Sequence, residues 1–171
     1  MNILDVIINR RSIRDFKDQD IPQSLLDALI ESIRWAPSAG NMQSRKFYFV
    51  FNQSLKIRLA KAALNQNFIV KAPLVVVACL DKRIALRYSD RGVNLYSIQD
   101  VSASIMSMML TAHSMGLGTV WVGAINEFDV IDILDLPAAY RPISIIPVGF
   151  PAKVPLPTSR YAREDIVEMV T

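Results

Sequence analysis

Arginine is dense near the start of the chain. Arg10, Arg11 and Arg14 surround the hydroxyl of Ser12 in Arg10-Arg11-Ser12-Ile13-Arg14, and Arg160 stands near the other end. Guanidinium groups and a hydroxyl in this pattern can hold a dianionic phosphate through charge-assisted hydrogen bonds. Two further stretches lie between them: Pro37-Ser38-Ala39-Gly40-Asn41-Met42-Gln43 and Gly116-Leu117-Gly118-Thr119-Val120-Trp121. Both offer backbone and side-chain amides, which suit a flat heteroaromatic ring. Each stretch is weak alone, because arginines after a helix also complement its carbonyl end and Pro-Ser-Ala-Gly-Asn also reads as a plain loop. Their combination and order carry the inference.

Ordinary catalytic groups are scarce. The one histidine, His113, reads as a hydrogen-bonded helix residue rather than a base,. The one cysteine, Cys79, lies in the apolar run Leu74–Leu80 and reads as a small core residue,. There is no Cys/His cluster or HExxH for a metal, no Gly-x-Ser-x-Gly elbow and no Walker A loop,. Gly116-Leu117-Gly118 follows a helical pattern and precedes a strand pattern, the reverse of a dinucleotide-binding turn,. A chain so poor in acid–base groups needs a reactive group from outside, and a bound flavin nucleotide combines that group with a phosphate and a flat ring.

These residues must be positioned by alternating helices and strands. The pattern predicts a helix over 3–9, a second from Pro22 to about Trp35, and a strand over 46–51,. A helix over 54–64 and a buried strand over 73–80 follow, and the polar stretch 85–91 stays unassigned. Residues 94–115 form the longest helix. Leu95, Ile98, Val101, Ile105, Met108, Met109, Ala112 and Met115 line one side, and small residues cover much of the rest. Such a helix is expected to be buried on most sides, at the core of a dimer. Gly116 should cap it in the left-handed conformation. A strand over 120–123, a helix from Asn126 to about Leu134 and a strand over 143–150 complete the set. Pro151, Pro155 and Pro157 leave 151–171 as an extended arm.

Strands alternating with helices give a mixed α and β class around a central sheet. The 171 residues fit one domain, 1–171,. A mean hydropathy of +0.26 exceeds what a domain this small covers by itself and points to a subunit interface,. The net charge of +3 is mild, and Asp15, Asp18 and Asp20 interleave with the arginines and Lys17, which disfavours nucleic acid,. A lone cysteine excludes an internal disulfide. Without a secretion-type start it points to the cytoplasm,, and no apolar run is long enough to span a membrane.

Arg10–Phe16, Ala36–Gln43, Asn94–Asp100, Gly116–Gly123 and Pro147–Ala152 with Arg160, in this order, resemble the nitroreductase family over nearly the whole chain. The resemblance implies an α+β fold, its central, mostly antiparallel sheet flanked by helices, in a domain-exchanged homodimer with FMN at the interface. It implies that Arg10, Ser12 and Arg14 bind FMN phosphate and ribityl oxygens, with Arg11 contributing at least its backbone, and that Arg160 closes the phosphate. Pro37, Ser38, Ala39 and Asn41 would reach the ring from the second subunit. Gln66 would lie near the pyrimidine side, and Val120, Trp121, Val122 and Gly123 would line the other edge through backbone amides. No side chain is assigned a catalytic role, since the chemistry lies at flavin N5, and no metal ligand is expected. The implied activity is ping-pong hydride transfer from NADH or NADPH to nitroaromatics, quinones or similar small-molecule acceptors. Other readings are a flavin-binding or regulatory protein without turnover, and a family member with different flavin chemistry, either reductive dehalogenation or flavin fragmentation. The chain departs from the family pattern at Thr158, where lysine is common, at Ser44, where proline is common, and at Arg45, where an aromatic is common. Arg45 is expected to alter substrate access. A lack of inserted lid helices implies an open pocket.

Overall fold

Short helices open the chain. In the computed structural model, which describes residues 2–171, helix α1 (Ile3–Asn9) begins with a reciprocal cap. The Asp5 N–H donates to the Asn2 side chain at 3.0 Å, and the Asn2 N–H donates to Asp5 Oδ2 at 3.4 Å,. Helix α2 (Gln23–Arg34) starts after Pro22, which occupies the N-cap rather than the first turn, and stops at Trp35, two residues before Pro37.

Four strands form one sheet: β1 (Arg45–Val50), β2 (Leu74–Asp81), β3 (Gly118–Thr119) and β4 (Tyr140–Gly149), in the order β1-β2-β4-β3. All of its ladders are antiparallel. Strand β2 is buried on both faces, so its sequence is a continuous apolar run rather than an alternation,. Val75, Val77 and Cys79 pack toward α3 (Gln53–Ala62) and α7 (Glu127–Leu134). Leu74, Val76, Ala78 and Leu80 pack toward α2 and α6 (Ser97–Ser114). The result is helices on both faces of the sheet, with each large apolar side chain buried in the two cores contributing about 1.5–3 kcal/mol. Burial pushes the Cys79 thiol up to about 12, as its reading as a core residue requires.

Three expectations change. Residues 85–91, unassigned from sequence, form α5 (Ala85–Arg91), bent at Ser89 with φ of +48°. It runs through a π-helical turn, Gly92–Tyr96, into α6, so the α-helix proper begins three residues later than its apolar period. The strand expected over 120–123 does not form a continuous ladder. Only Gly118 and Thr119 pair regularly with β4, and Val122 returns as a single bridge to Ile145. The register that sets Thr119 against Val148 and Val122 against Ile145 places Pro147 opposite Val120, and proline has no N–H to donate,. The outer face of α6 is not covered within the protomer: Ile98 and Met106 are exposed, and Ala103 and Ser107 are half-buried.

Helix α6 ends as expected. Gly116 has φ of +81°, its N–H donates to His113 C=O at 3.1 Å, and the Leu117 N–H donates to Ala112 C=O at 2.9 Å,. Asn126 caps α7 by accepting from the Phe128 and Asp129 amides,. The arm from 151 is tied at its root, where the Ala152 N–H donates to Asp15 C=O at 2.9 Å, and it has no helix or strand beyond. Among the described residues no helix is long and apolar enough to cross a membrane. A short helix α4 (Phe68–Lys71) leads into β2.

Candidate active site

The end of α1, the segment after it, the end of α6 and β3 converge on a cavity of about 460 Å³. The Ile13 N–H donates to Thr119 C=O at 2.9 Å, and Ser12 forms a parallel bridge with Thr119, so the arginine segment is fastened to the edge of the sheet. This close approach requires Gly118: a Cβ there would sit 2.6 Å from Ile13 Cγ1,.

Arg10 and Arg11 line the cavity. Arg10 Nη1 is buried with no hydrogen-bond partner. Burial first, then the charge of Arg11, then that of Arg160, pull the Arg10 pKa below that of an ordinary arginine, although it remains a cation. Arg11 donates through Nη1 to the carbonyls of Ile8 at 2.7 Å and Arg10 at 2.9 Å, which closes the end of α1. Arg160 arrives on the arm. Its Nη1 donates to Thr158 Oγ1 at 2.7 Å and to the carbonyls of Thr158 and Ser159. Thr158 therefore orients Arg160. Among the described residues no carboxylate lies within ion-pair distance of Arg10, Arg11 or Arg160. The site is a concentration of positive charge with unfilled donor capacity, which is the electrostatic requirement for an anion.

The 37–43 loop is built on α6. Asp100, 3% exposed, accepts from the Ala39 N–H at 2.8 Å and from the Ser44 hydroxyl at 2.7 Å. Ser38 Oγ accepts from the Gln43 N–H at 3.0 Å. Gly40, Asn41 and Gln43 all have positive φ, and a Cβ at Gly40 would collide with the Tyr88 hydroxyl. Arg45, expected to alter substrate access, also has a structural task. Its guanidinium donates to the carbonyls of Arg34, Ala36 and Pro37 at 3.0, 2.9 and 3.1 Å, closing the end of α2 and the root of the loop.

A third group forms beside α3 and α7. Gln66 holds the turn after α3, its Nε2 donating to Ala63 C=O at 3.0 Å. The Asn126 N–H donates to Ala62 C=O at 2.8 Å and ties that turn to the segment after β3. Val120 and Val122 are buried, Val122 with its N–H and C=O both bonded to Ile145, while Trp121 is half-buried and Gly123 is exposed. Arg14 is exposed and lies over the Phe68 ring, with Cζ 5.8 Å from its centroid.

The fold thus brings Arg10 and Arg11 against Gly118 and Thr119, with Arg160 close enough to perturb Arg10. Ser12 adjoins them through its backbone. Pro37, Ser38, Ala39 and Asn41 do not line this cavity, nor do Arg14, Gln66 or Val120–Gly123. Sequence reasoning missed Asp100 as the anchor of the loop and gave His113 no place in the site. Asp100 did leave a signal, as a lone carboxylate beside the apolar stripe of Val101 and Ile105. His113 Nε2 is buried, unpartnered and in the arginine cavity.

Known proteins share this fold. A protein of Bacillus subtilis (strain 168) named FMN reductase, NAD(P)H, is 30% identical over 164 residues, which cover 88% of this chain and 66% of that protein. The solved structure of Bacillus megaterium NfrA2 superposes with a TM-score of 0.91 at 30% identity, over all of this chain and 75% of that one. The NADPH:FMN oxidoreductase of Vibrio harveyi, solved in complex with NAD+, gives a TM-score of 0.91 at 25% identity, over all of this chain and 78% of that one. The model of the Nitroreductase family matches residues 7–150, a span holding the arginine segment, the loop anchored by Asp100 and the glycine turn after α6, and the chain belongs to that family.

Proposed function

We propose that this chain is an FMN-dependent NAD(P)H oxidoreductase that reduces nitroaromatics, quinones or similar flat acceptors by a ping-pong cycle. In this reading residues 1–171 form one domain that works as a homodimer in the cytoplasm. The observation that carries it is Arg10 Nη1, buried without a partner beside Arg11 and Arg160 and out of reach of any carboxylate among the described residues. Arg10 as a whole is half-buried, but its enclosed Nη1 has no acceptor, and a phosphate dianion supplies both the opposite charge and the missing acceptor,. The similar proteins named FMN reductase and NADPH:FMN oxidoreductase support the choice of cofactor and donor.

The donor set fits FMN. Arg10 and Arg160 would take the phosphate, Thr158 holding Arg160 in place. Ser12 and Arg14 would take ribityl oxygens, and Arg11 would contribute its backbone. Gln66 would lie at the pyrimidine side, and Val120, Trp121, Val122 and Gly123 would line the other edge of the ring, the segment held in place by the backbone bridge of Val122 to Ile145. Pro37, Ser38, Ala39 and Asn41 stand outside the protomer's own cavity, which suits residues that reach the ring from a second copy. The exposed face of α6 suits the surface between the copies. FMN, when bound, supplies the hydride chemistry between a nicotinamide and an acceptor. The residues of the chain bind, orient and preorganise.

The test is to mix the purified chain with FMN, desalt it, and add NADH or NADPH without oxygen. Retained flavin absorbance should bleach and then recover on adding a nitroaromatic or a quinone. Arg10→Gln should weaken retention at least about tenfold, the loss of one charge-assisted contact. Retained flavin that bleaches with neither donor would make the chain a flavin-binding protein, and no retained flavin would remove the reading.

A further inference from the structure

Two side-chain nitrogens lie buried in the arginine cavity with nothing to bond. One is Arg10 Nη1, and the other is His113 Nε2. His113 sits in the last turn of α6, held by its backbone, whose carbonyl accepts from the Gly116 N–H at 3.1 Å. Its ring has no partner at Nε2, which is unlike a histidine packed for stability alone.

The charges around it are few. Arg10 and Arg11 face it from the end of α1, with Arg160 of the arm beyond Arg10. Strand β3 brings only Gly118 and Thr119, and the arm brings Pro151 and Val154, none of which ionises. On α1, Asp5 is engaged in the cap with Asn2. On α2, which packs along α6, Glu31 and Arg34 pair with each other. On α6 itself the next ionisable group is Asp100, about 20 Å back along the axis. Burial first, then Arg10 and Arg11, hold the imidazole pKa below its ordinary value. The carbonyl end of the helix favours the cation but does not overcome them. A dianion placed against the two arginines would reverse the balance, because it cancels the repulsion and offers Nε2 an acceptor.

We propose that His113 is a further ligand of the phosphate held by Arg10, and that its ring takes up a proton from solvent as the phosphate enters, so that Nε2–H donates to a phosphate oxygen. The proposal rests on reading this cavity as the FMN phosphate site. It makes flavin retention proton-linked. FMN binds more tightly as pH falls through the neutral range, until the phosphate itself becomes protonated near pH 6.

His113 is the only histidine, so the Cε1–H resonance of the full, tag-free chain reports on it without assignment. In phosphate-free buffer it should titrate below about 6.5. Saturating FMN should raise that midpoint by at least about one unit, which corresponds to a tenfold tighter grip on the protonated form. Riboflavin, which lacks the phosphate, should leave it in place. Calorimetry at pH 7.5 in two buffers of different ionisation enthalpy should show proton uptake with FMN, and none in His113→Gln. FMN that binds without moving the midpoint would overturn the role of His113 and leave the phosphate site standing. If no FMN binds, the proposed function falls. Inorganic phosphate alone then decides the matter: a raised midpoint keeps His113 as an anion ligand, and an unmoved one removes it.

Discussion

Asp100 joins two parts of the chain that are distant in sequence, and removing it should show how much the 37–43 loop depends on α6. Its carboxylate is 3% exposed and accepts from the Ala39 N–H and the Ser44 hydroxyl at 2.8 and 2.7 Å. A hydrogen bond to a charged group contributes about 1.5–3 kcal/mol, so losing both sets a ceiling of roughly 3–6 kcal/mol. Asp100→Ala also leaves the buried Ser44 hydroxyl unsatisfied and removes an attractive charge near Arg45, which keeps the expected loss in that range. Asp100→Asn retains one acceptor oxygen and should lose about half as much. Ser44→Ala removes one bond, about 1.5–3 kcal/mol, and should not add to Asp100→Ala. The double variant should fall short of the sum by about 1.5–3 kcal/mol, the shared bond counted once. Urea unfolding followed by tryptophan fluorescence measures all four variants. FMN retention by Asp100→Asn should fall in parallel, because Ala39 and Asn41 lose their anchor. A loss below about 1 kcal/mol for Asp100→Ala, or full additivity with Ser44→Ala, would refute the account of the loop.

Other substitutions probe separate features. Gly116→Ala places a side chain in open space, with no atom within 4 Å, so its cost is the left-handed backbone alone. That cost is about 1–2 kcal/mol, read as a fall of several degrees in Tm. Gly118→Ala instead drives a Cβ into Ile13. It should cost about 1–3 kcal/mol by overpacking, and a crystal structure of the variant should show Ile13 displaced. The unliganded protein should also lose stability in mild acid through His113. The folded pKa lies below the ordinary value, so the unfolded chain binds the proton first. The stability is present in full above about pH 6.5 and is lost as pH falls toward the folded pKa. His113→Gln should flatten that part of the Tm profile against pH. Thr158→Val, which removes the oxygen that orients Arg160 at 2.7 Å, should weaken FMN retention several-fold and leave Tm within about a degree, as expected for an exposed residue.

What the sequence disclosed was local. The apolar run of β2, the glycine that ends α6 and the asparagine that caps α7 each act through their own residues or near neighbours, and each stands where the pattern put it. The features it hid depend on partners far along the chain. Nothing near Val120 announces a broken ladder, because the cause is Pro147 on another strand. Nothing near Arg45 announces its bonds, because the carbonyls it serves belong to Arg34, Ala36 and Pro37 at the end of a helix. The bend at Ser89 and the π-helical turn after it have no periodic signature, since they depart from the period used to find a helix. The arginine cavity was half legible. The charges were plain, but only the fold could show that Arg10 is left unpaired and that His113 shares its cavity.

The burial of Cys79 has a practical consequence. The chain carries a single thiol, placed in the middle of the sheet and hydrogen-bonded through its strand to β1 and β4. Motions of the arm, of the loop over α6 or of the chain ends leave it shielded, so a maleimide reaches it only when the sheet itself parts. Its labelling rate is therefore a clock built into the native sequence that counts global openings and ignores local ones. Comparing that rate with and without FMN would measure how far a ligand held at the edge of the sheet slows the opening of its centre.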